Sequence, residues 1–128
     1  MDKAEHADEW LRHADDDYNA AMYLKESHRS LNKIICYHCQ QAGEKALKAV
    51  LAYHDEDIPR TYNLTTLLGL CETHCPGITN IFIDQSDYLT GFAVITRYPN
   101  EIEITEADME SAIEIAEKLI SFVKSLWE

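Results

Sequence analysis

The side chains best suited to chemistry fall into two groups, one in the first half of the sequence and one near residue 97. The first group repeats at intervals of three and four residues, which predicts a line of donors along one solvent-facing side of a helix. It consists of His38, Gln41, Lys45 and Lys48. The second group is Arg97-Tyr98, whose guanidinium offers a fork for phosphate and whose ring offers a surface for stacking. Together they predict a ligand- or partner-binding surface.

Ordinary surface ion pairing is the alternative explanation for these cations. The formal net charge is −12, and lysines and arginines on a very acidic protein mostly meet carboxylates. The same acidity disfavours non-specific binding to DNA or RNA, because the field of the protein repels phosphate backbones. A nucleotide or a partner protein therefore remains the expected ligand, and non-specific binding of nucleic acids is not expected.

Four cysteines form two near pairs, Cys36/Cys39 and Cys71/Cys75, which raises the question of zinc. The spacing of Cys39 places it among the small residues of a helix face, where a free cysteine packs as a small hydrophobe. Adjacent residues on a helix point about 100° apart, so a neighbouring histidine is badly placed to activate a thiol. We predict packing cysteines, no metal and no cofactor.

The elements that position these residues are predicted to be helices. Apolar residues recur at three and four along most of the chain, and glycine and proline are scarce. The predicted helices cover residues 2–26, 30–54, 61–71 and 78–96, and a last one begins after a capping box at Thr105 and Asp108. Ser30 or Asn32 is expected to cap the second helix. The expected fold is a single all-α domain, an up-and-down antiparallel four-helix bundle with one additional short helix.

Three further expectations concern the surfaces of these helices. Residues 15–17, three consecutive aspartates, are expected to form a solvated face. On the fourth helix, the predicted apolar face consists of Ile78, Ile81, Tyr88, Phe92 and Ile95, with Phe82 and Leu89 beside it. The last helix is apolar over a wide arc, which indicates either a central place in the bundle or sharing with a second subunit, and we expect a homodimer.

The N-terminus has no apolar core of a signal peptide, and no apolar run approaches the roughly 20 residues that span a bilayer, which predicts a cytoplasmic protein.

Residues 36–51, CYHCQQAGEKALKAVL, resemble the second-helix signature of HEPN domains, in which an aromatic-His-x-Gln-Gln-Ala-x-Glu-Lys-x-Leu-Lys pattern recurs. Three other stretches fit in the family's order: Ala14-Asp-Asp-Asp-Tyr, Arg60-Thr-Tyr-Asn-Leu and Thr96-Arg-Tyr-Pro. The resemblance implies a helical bundle that usually dimerises. It also implies a role beside a minimal nucleotidyltransferase, as one component of a paired or toxin–antitoxin system, and it implies nucleotide binding.

Many HEPN proteins are metal-independent ribonucleases that use an Arg followed, after four to six residues, by a His. In this sequence the positions that such a His would occupy after Arg97 hold Ile102, Glu103 and Ile104. The resemblance therefore favours a non-catalytic nucleotide- or partner-binding HEPN protein. The alternative is an endoribonuclease with a divergent site built on Arg97 and a histidine outside the pattern, such as His38. A purely structural dimer is the third possibility.

Overall fold

The computed structural model describes residues 2–95 and 103–127, and it confirms the all-α bundle. No strand occurs within those two segments. The helices are α1 (Lys3–Lys25), α2 (Asn32–Tyr53), α3 (Leu64–Cys71), α4 (Ile78–Thr90), α5 (Phe92–Ile95) and α6 (Glu106–Ser125). Four of them are long; α3 is the additional short helix, and α5 follows α4 after a single break at Gly91. The predicted end of the fourth helix at Thr96 lies outside the described residues.

Helix α2 is the centre of the bundle, because it packs against every other helix. Its most extensive neighbours are α1 and α6, and its buried face is made mainly of alanine, cysteine and glycine. The small residues allow close approach. A methyl group built on Gly43 would lie 3.2 Å from leucine side chains of α3, α4 and α6 at once. The predicted small-residue packing face of this helix is thus confirmed.

Side chains cap two of the four long helices, α1 and α6. Asp2 accepts a hydrogen bond from the Glu5 N–H at 2.8 Å, and the predicted capping box of Thr105 and Asp108 is present at the start of α6. The prediction for α2 was wrong. Its first turn follows Leu31 without any side-chain cap, because the Asn32 amide donates instead to the carbonyl of Ile104 at 3.2 Å, far along the chain.

The predicted apolar face of the fourth helix is confirmed at Ile78 and Phe92, which are buried, and is wrong at two positions between them. Ile81 and Tyr88 are exposed, whereas Phe82 and Leu89 are buried in the core. Both sets have helical spacing, and the choice between them depends on which way the helix is rotated against α3 and α6. Tyr88 still has a structural role, since its hydroxyl donates to Asp108 at 2.7 Å.

The wide apolar arc of α6 is explained within one chain. Eight of its residues are buried, and the helix packs against α2, α1 and α4. Phe122, at the margin of the arc, meets Phe82 of α4 edge to face, with ring centroids 5.2 Å apart. The structure supports the first of the two explanations for the arc, a central place in the bundle. Dimerisation stays a prediction.

Candidate functional site

Two of the predicted residues, Gln41 and Lys48, line one surface cleft between α2 and the segment that leads into α3. We call it the Arg60 cleft; its lining residues are Tyr37, Gln41, Glu44, Lys48, Arg60, Thr61 and Tyr62. Its volume is about 360 Å³, within the range of small-molecule sites. The cleft combines two phenol rings, an amide and three charged groups in one place.

A chain of amides holds the far wall of the cleft against α2. The Gln41 amide donates to the side-chain oxygen of Gln40 at 2.8 Å, and the Gln40 amide donates to the carbonyl of Tyr62 at 2.8 Å. Gln40 is fully buried, so its side chain ties the backbone of Tyr62 to the core rather than to solvent. This hydrogen bond holds the segment that carries Arg60, two residues earlier, against α2 at Tyr62.

Lys48 does not lie on a solvent-facing line, contrary to the prediction. Its side chain is 8% exposed and forms an ion pair with Glu44, one turn earlier, at 3.0 Å. Its ammonium also lies 5.7 Å from the centre of the Trp10 ring, a cation–π contact with α1. A nearly buried ion pair repays its desolvation only when both charges are well partnered. Lys48 and Glu44 thus enter the cleft as a neutral pair.

Arg60 is the lining residue that helical spacing did not predict. Its side chain is exposed, and it makes no ion pair with any residue that the structure describes. It lies just before α3, whose first turn is capped by Asn63. A residue in a loop is not part of any helical periodicity, so the spacing of the sequence does not identify it. The only signal was its place in the Arg60-Thr-Tyr-Asn-Leu stretch that resembles HEPN domains.

His38 and Lys45 belong to a different cluster, between α1 and α2. The His38 Nδ1 lies 2.9 Å from one oxygen of Asp17, and the Lys45 ammonium contacts the other. Asp17 is only 13% exposed, and Asp15 binds Lys124 of α6 at 2.9 Å. The prediction that residues 15–17 form a solvated face was therefore wrong for these two aspartates. They join α1 to its neighbours.

The structure accordingly divides the predicted site. Gln41 and Lys48 face the Arg60 cleft, whereas Lys45 lines a second cleft, about 340 Å³, beside Trp10 and two histidines of α1. The four donors predicted to form one line on α2 therefore fall into two separate pairs. Asp17 holds His38 and Lys45, whereas Gln41 and Lys48 face the Arg60 cleft. Arg97 and Tyr98 lie outside the described residues.

The cysteines pack as predicted. Cys36, Cys39 and Cys71 are fully buried, and burial raises the pKa of each thiol to about 12. Buried neutral thiols of this kind are poor nucleophiles and poor metal ligands. Across residues 2–95 and 103–127, no group of three or more His, Cys, Asp or Glu side chains is placed to hold a metal ion. None of the helices in those segments is long and apolar enough to span a membrane.

The model of the HEPN domain family matches residues 7–126, nearly the whole chain. The chain belongs to the HEPN domain family. Two solved structures have the same fold. One is ST0689, an archaeal HEPN homologue, with 24% identity and a TM-score of 0.73, covering 93% of this chain and 95% of that one. The other is TT1696 from Thermus thermophilus, with 22% identity and a TM-score of 0.74, covering 98% of both chains.

At these identities the two structures establish the fold alone. A search of curated proteins found no match to the chain. Two findings therefore bear on the function of the chain, the HEPN assignment and the Arg60 cleft.

Proposed function

We propose that this HEPN protein is a non-catalytic nucleotide-binding module whose ligand occupies the Arg60 cleft. The observation that carries the proposal is the exposed Arg60 guanidinium, unpaired among the described residues, beside two tyrosine rings in a cleft of about 360 Å³. An unpaired guanidinium binds phosphate oxygens through two parallel hydrogen bonds. Tyrosine rings stack on bases.

Each wall of the cleft then has a function in binding. Arg60 holds the phosphate, the rings of Tyr37 and Tyr62 flank the base, and the Gln41 amide offers a donor and an acceptor to its edge. The hydrogen bond from Gln40 to Tyr62 keeps these groups in place before the ligand arrives. Preorganisation of this kind lowers the entropic cost of binding. Arg97 and Tyr98 remain proposed members of the ligand or partner surface.

Partners are part of the same proposal. The family resemblance supports a homodimer that acts with a minimal nucleotidyltransferase in a two-component, toxin–antitoxin-like system. Co-purification from the native host tests this part. Recovery of a nucleotidyltransferase with the chain supports it, and a chain recovered alone, as a monomer by light scattering, contradicts it.

One observation favours a second candidate function, a divergent endoribonuclease. His38 is held by Asp17 through Nδ1, and a carboxylate that orients an imidazole in this way is a common feature of general acid–base sites. RNA cleavage that is lost in His38→Ala but retained in Arg12→Ala would select this candidate. Absence of cleavage by the wild-type protein would reject it.

Calorimetric titration with AMP, GMP, ATP and GTP tests nucleotide binding directly. We expect binding by the wild-type protein and a loss of about tenfold or more in Arg60→Ala, since a charged hydrogen-bonded contact is removed. Arg12→Ala, which removes an exposed arginine of α1 outside the cleft, is the matched control and is expected to bind normally. No heat with any of the four nucleotides, or equal loss in both variants, would refute the proposal.

A further inference from the structure

The charges of the Arg60 cleft do not contribute equally. Lys48 is neutralised by Glu44 at 3.0 Å, and the two side chains are 8% and 13% exposed, so this pair adds no net charge to the cleft. Arg60 is the remaining cation among the described lining residues. Those residues therefore present one uncompensated positive charge, on a protein whose net charge is −12.

From this inventory we infer that the cleft selects nucleotides with a single phosphate group and rejects triphosphates. The inference rests on the proposed function and specifies its ligand class: nucleoside monophosphates. Arg60 accounts for recognition of the phosphate, and Glu44, by neutralising Lys48, leaves no second free cation among the described lining residues for a longer phosphate chain.

The physical reason is a mismatch of charge. A phosphate monoester carries about −1.5 to −2 at neutral pH, which one guanidinium matches well. A triphosphate adds further negative charge that no second free cation among the described lining residues can meet. Lys48 does not meet that charge, because Glu44 neutralises it. The acidic surface outside the cleft repels the additional phosphates.

The stability of the Lys48–Glu44 pair supports this interpretation of the cleft. The two residues are one helical turn apart on α2, and the Trp10 ring covers the ammonium from the side of α1. Lys48 is therefore held away from an incoming phosphate, unless the contact with Glu44 is given up. Breaking a nearly buried pair leaves one charge uncompensated, which is costly.

Titrations of adenosine, AMP and ATP in buffer with EDTA test the inference, since EDTA removes the divalent cations that would neutralise a triphosphate. We expect AMP to bind the wild-type protein about tenfold more tightly than ATP, and adenosine to bind more weakly than AMP. In Glu44→Gln, Lys48 gains an uncompensated charge, and the AMP-to-ATP ratio is expected to fall toward one or to invert.

The double variant Glu44→Gln/Lys48→Met is the matched control, because it removes both charges and leaves the sum unchanged. It is expected to keep the preference for AMP. If Glu44→Gln fails to fold, as judged by circular dichroism, the AMP-to-ATP affinity ratios of the wild-type protein and of the double variant still test the inference. ATP binding as tightly as AMP to the wild-type protein would overturn the inference while leaving nucleotide binding intact. No binding of any of the three compounds, and none of GMP or GTP, would refute the proposed function itself.

Discussion

Replacing Gly43 by alanine tests the close packing at the centre of α2. An ideal Cβ at this position lies 3.2 Å from the methyl carbons of Leu64, Leu89 and Leu119, which belong to α3, α4 and α6. All three leucines are fully buried, so none of them can move aside into solvent. The added methyl group must therefore displace at least one of these leucine side chains, or the helix that carries it, by a few tenths of an ångström.

Two opposing terms set the magnitude. Alanine gains about 1 kcal/mol over glycine in the interior of a helix. Overpacking a well-filled core costs about 1–3 kcal/mol. Gly69 provides the matched control, because it lies inside α3, is exposed, and has no atom within 4 Å of the position of its would-be Cβ. The propensity gain is common to both substitutions, so their difference isolates the packing cost.

Urea unfolding followed by circular dichroism measures that difference. We expect Gly69→Ala to stabilise the protein by about 0.5–1 kcal/mol. We expect Gly43→Ala to be less stable than Gly69→Ala by about 1–3 kcal/mol, at an unchanged dependence on urea concentration. Equal stability of the two variants would show that α3, α4 and α6 do not converge on α2 as described.

Three further predictions concern the interactions that hold the bundle together. Asp17→Asn should lower the free energy of unfolding by about 1–3 kcal/mol in a urea titration, because it removes the carboxylate that contacts both Lys45 and His38, whereas the exposed Asp16→Asn should change it by less than about 0.5 kcal/mol. Backbone hydrogen bonds from the start of α4 lower the pKa of Glu72. Its stabilising effect is therefore present above about pH 4.3 and is lost as pH falls through the folded-state pKa. Glu72→Gln should reduce the fall of the thermal unfolding midpoint at acidic pH, and an unchanged fall would contradict this. In a thiol-labelling time course on the native protein, the half-buried Cys75 should react first and the three buried cysteines only on unfolding; fast labelling of all four would refute the buried assignment.

The fold was predictable because its main determinants are periodic. Small residues at three and four on α2, and the capping box at Thr105, specify a helix and its first residue without any tertiary information. The rotation of α4 was not predictable in this way. Ile81 and Phe82 are adjacent and similarly apolar, so the pattern alone gave no reason to choose the residue that the core accepts.

The candidate site was predicted only in part, and the reason is again physical. A helical spacing places His38 and Lys45 on one side of α2, but it cannot reveal that Asp17 of α1 occupies that side. In the same way the i,i+4 spacing of Glu44 and Lys48 is compatible with an ion pair, but it does not indicate how deeply the pair is buried. Arg60 lies in a connecting segment without helical periodicity, which Gln40 holds against α2 through the carbonyl of Tyr62.

A nuclear magnetic resonance titration of the ¹⁵N-labelled protein with AMP tests the central claim most directly, because it reports where the ligand binds as well as whether it binds. We expect saturable chemical-shift changes concentrated at Tyr37, Gln41 and residues 60–62, and their disappearance in Arg60→Ala. Changes centred on the cleft beside Trp10, or no changes at millimolar AMP, would contradict nucleotide binding in the Arg60 cleft.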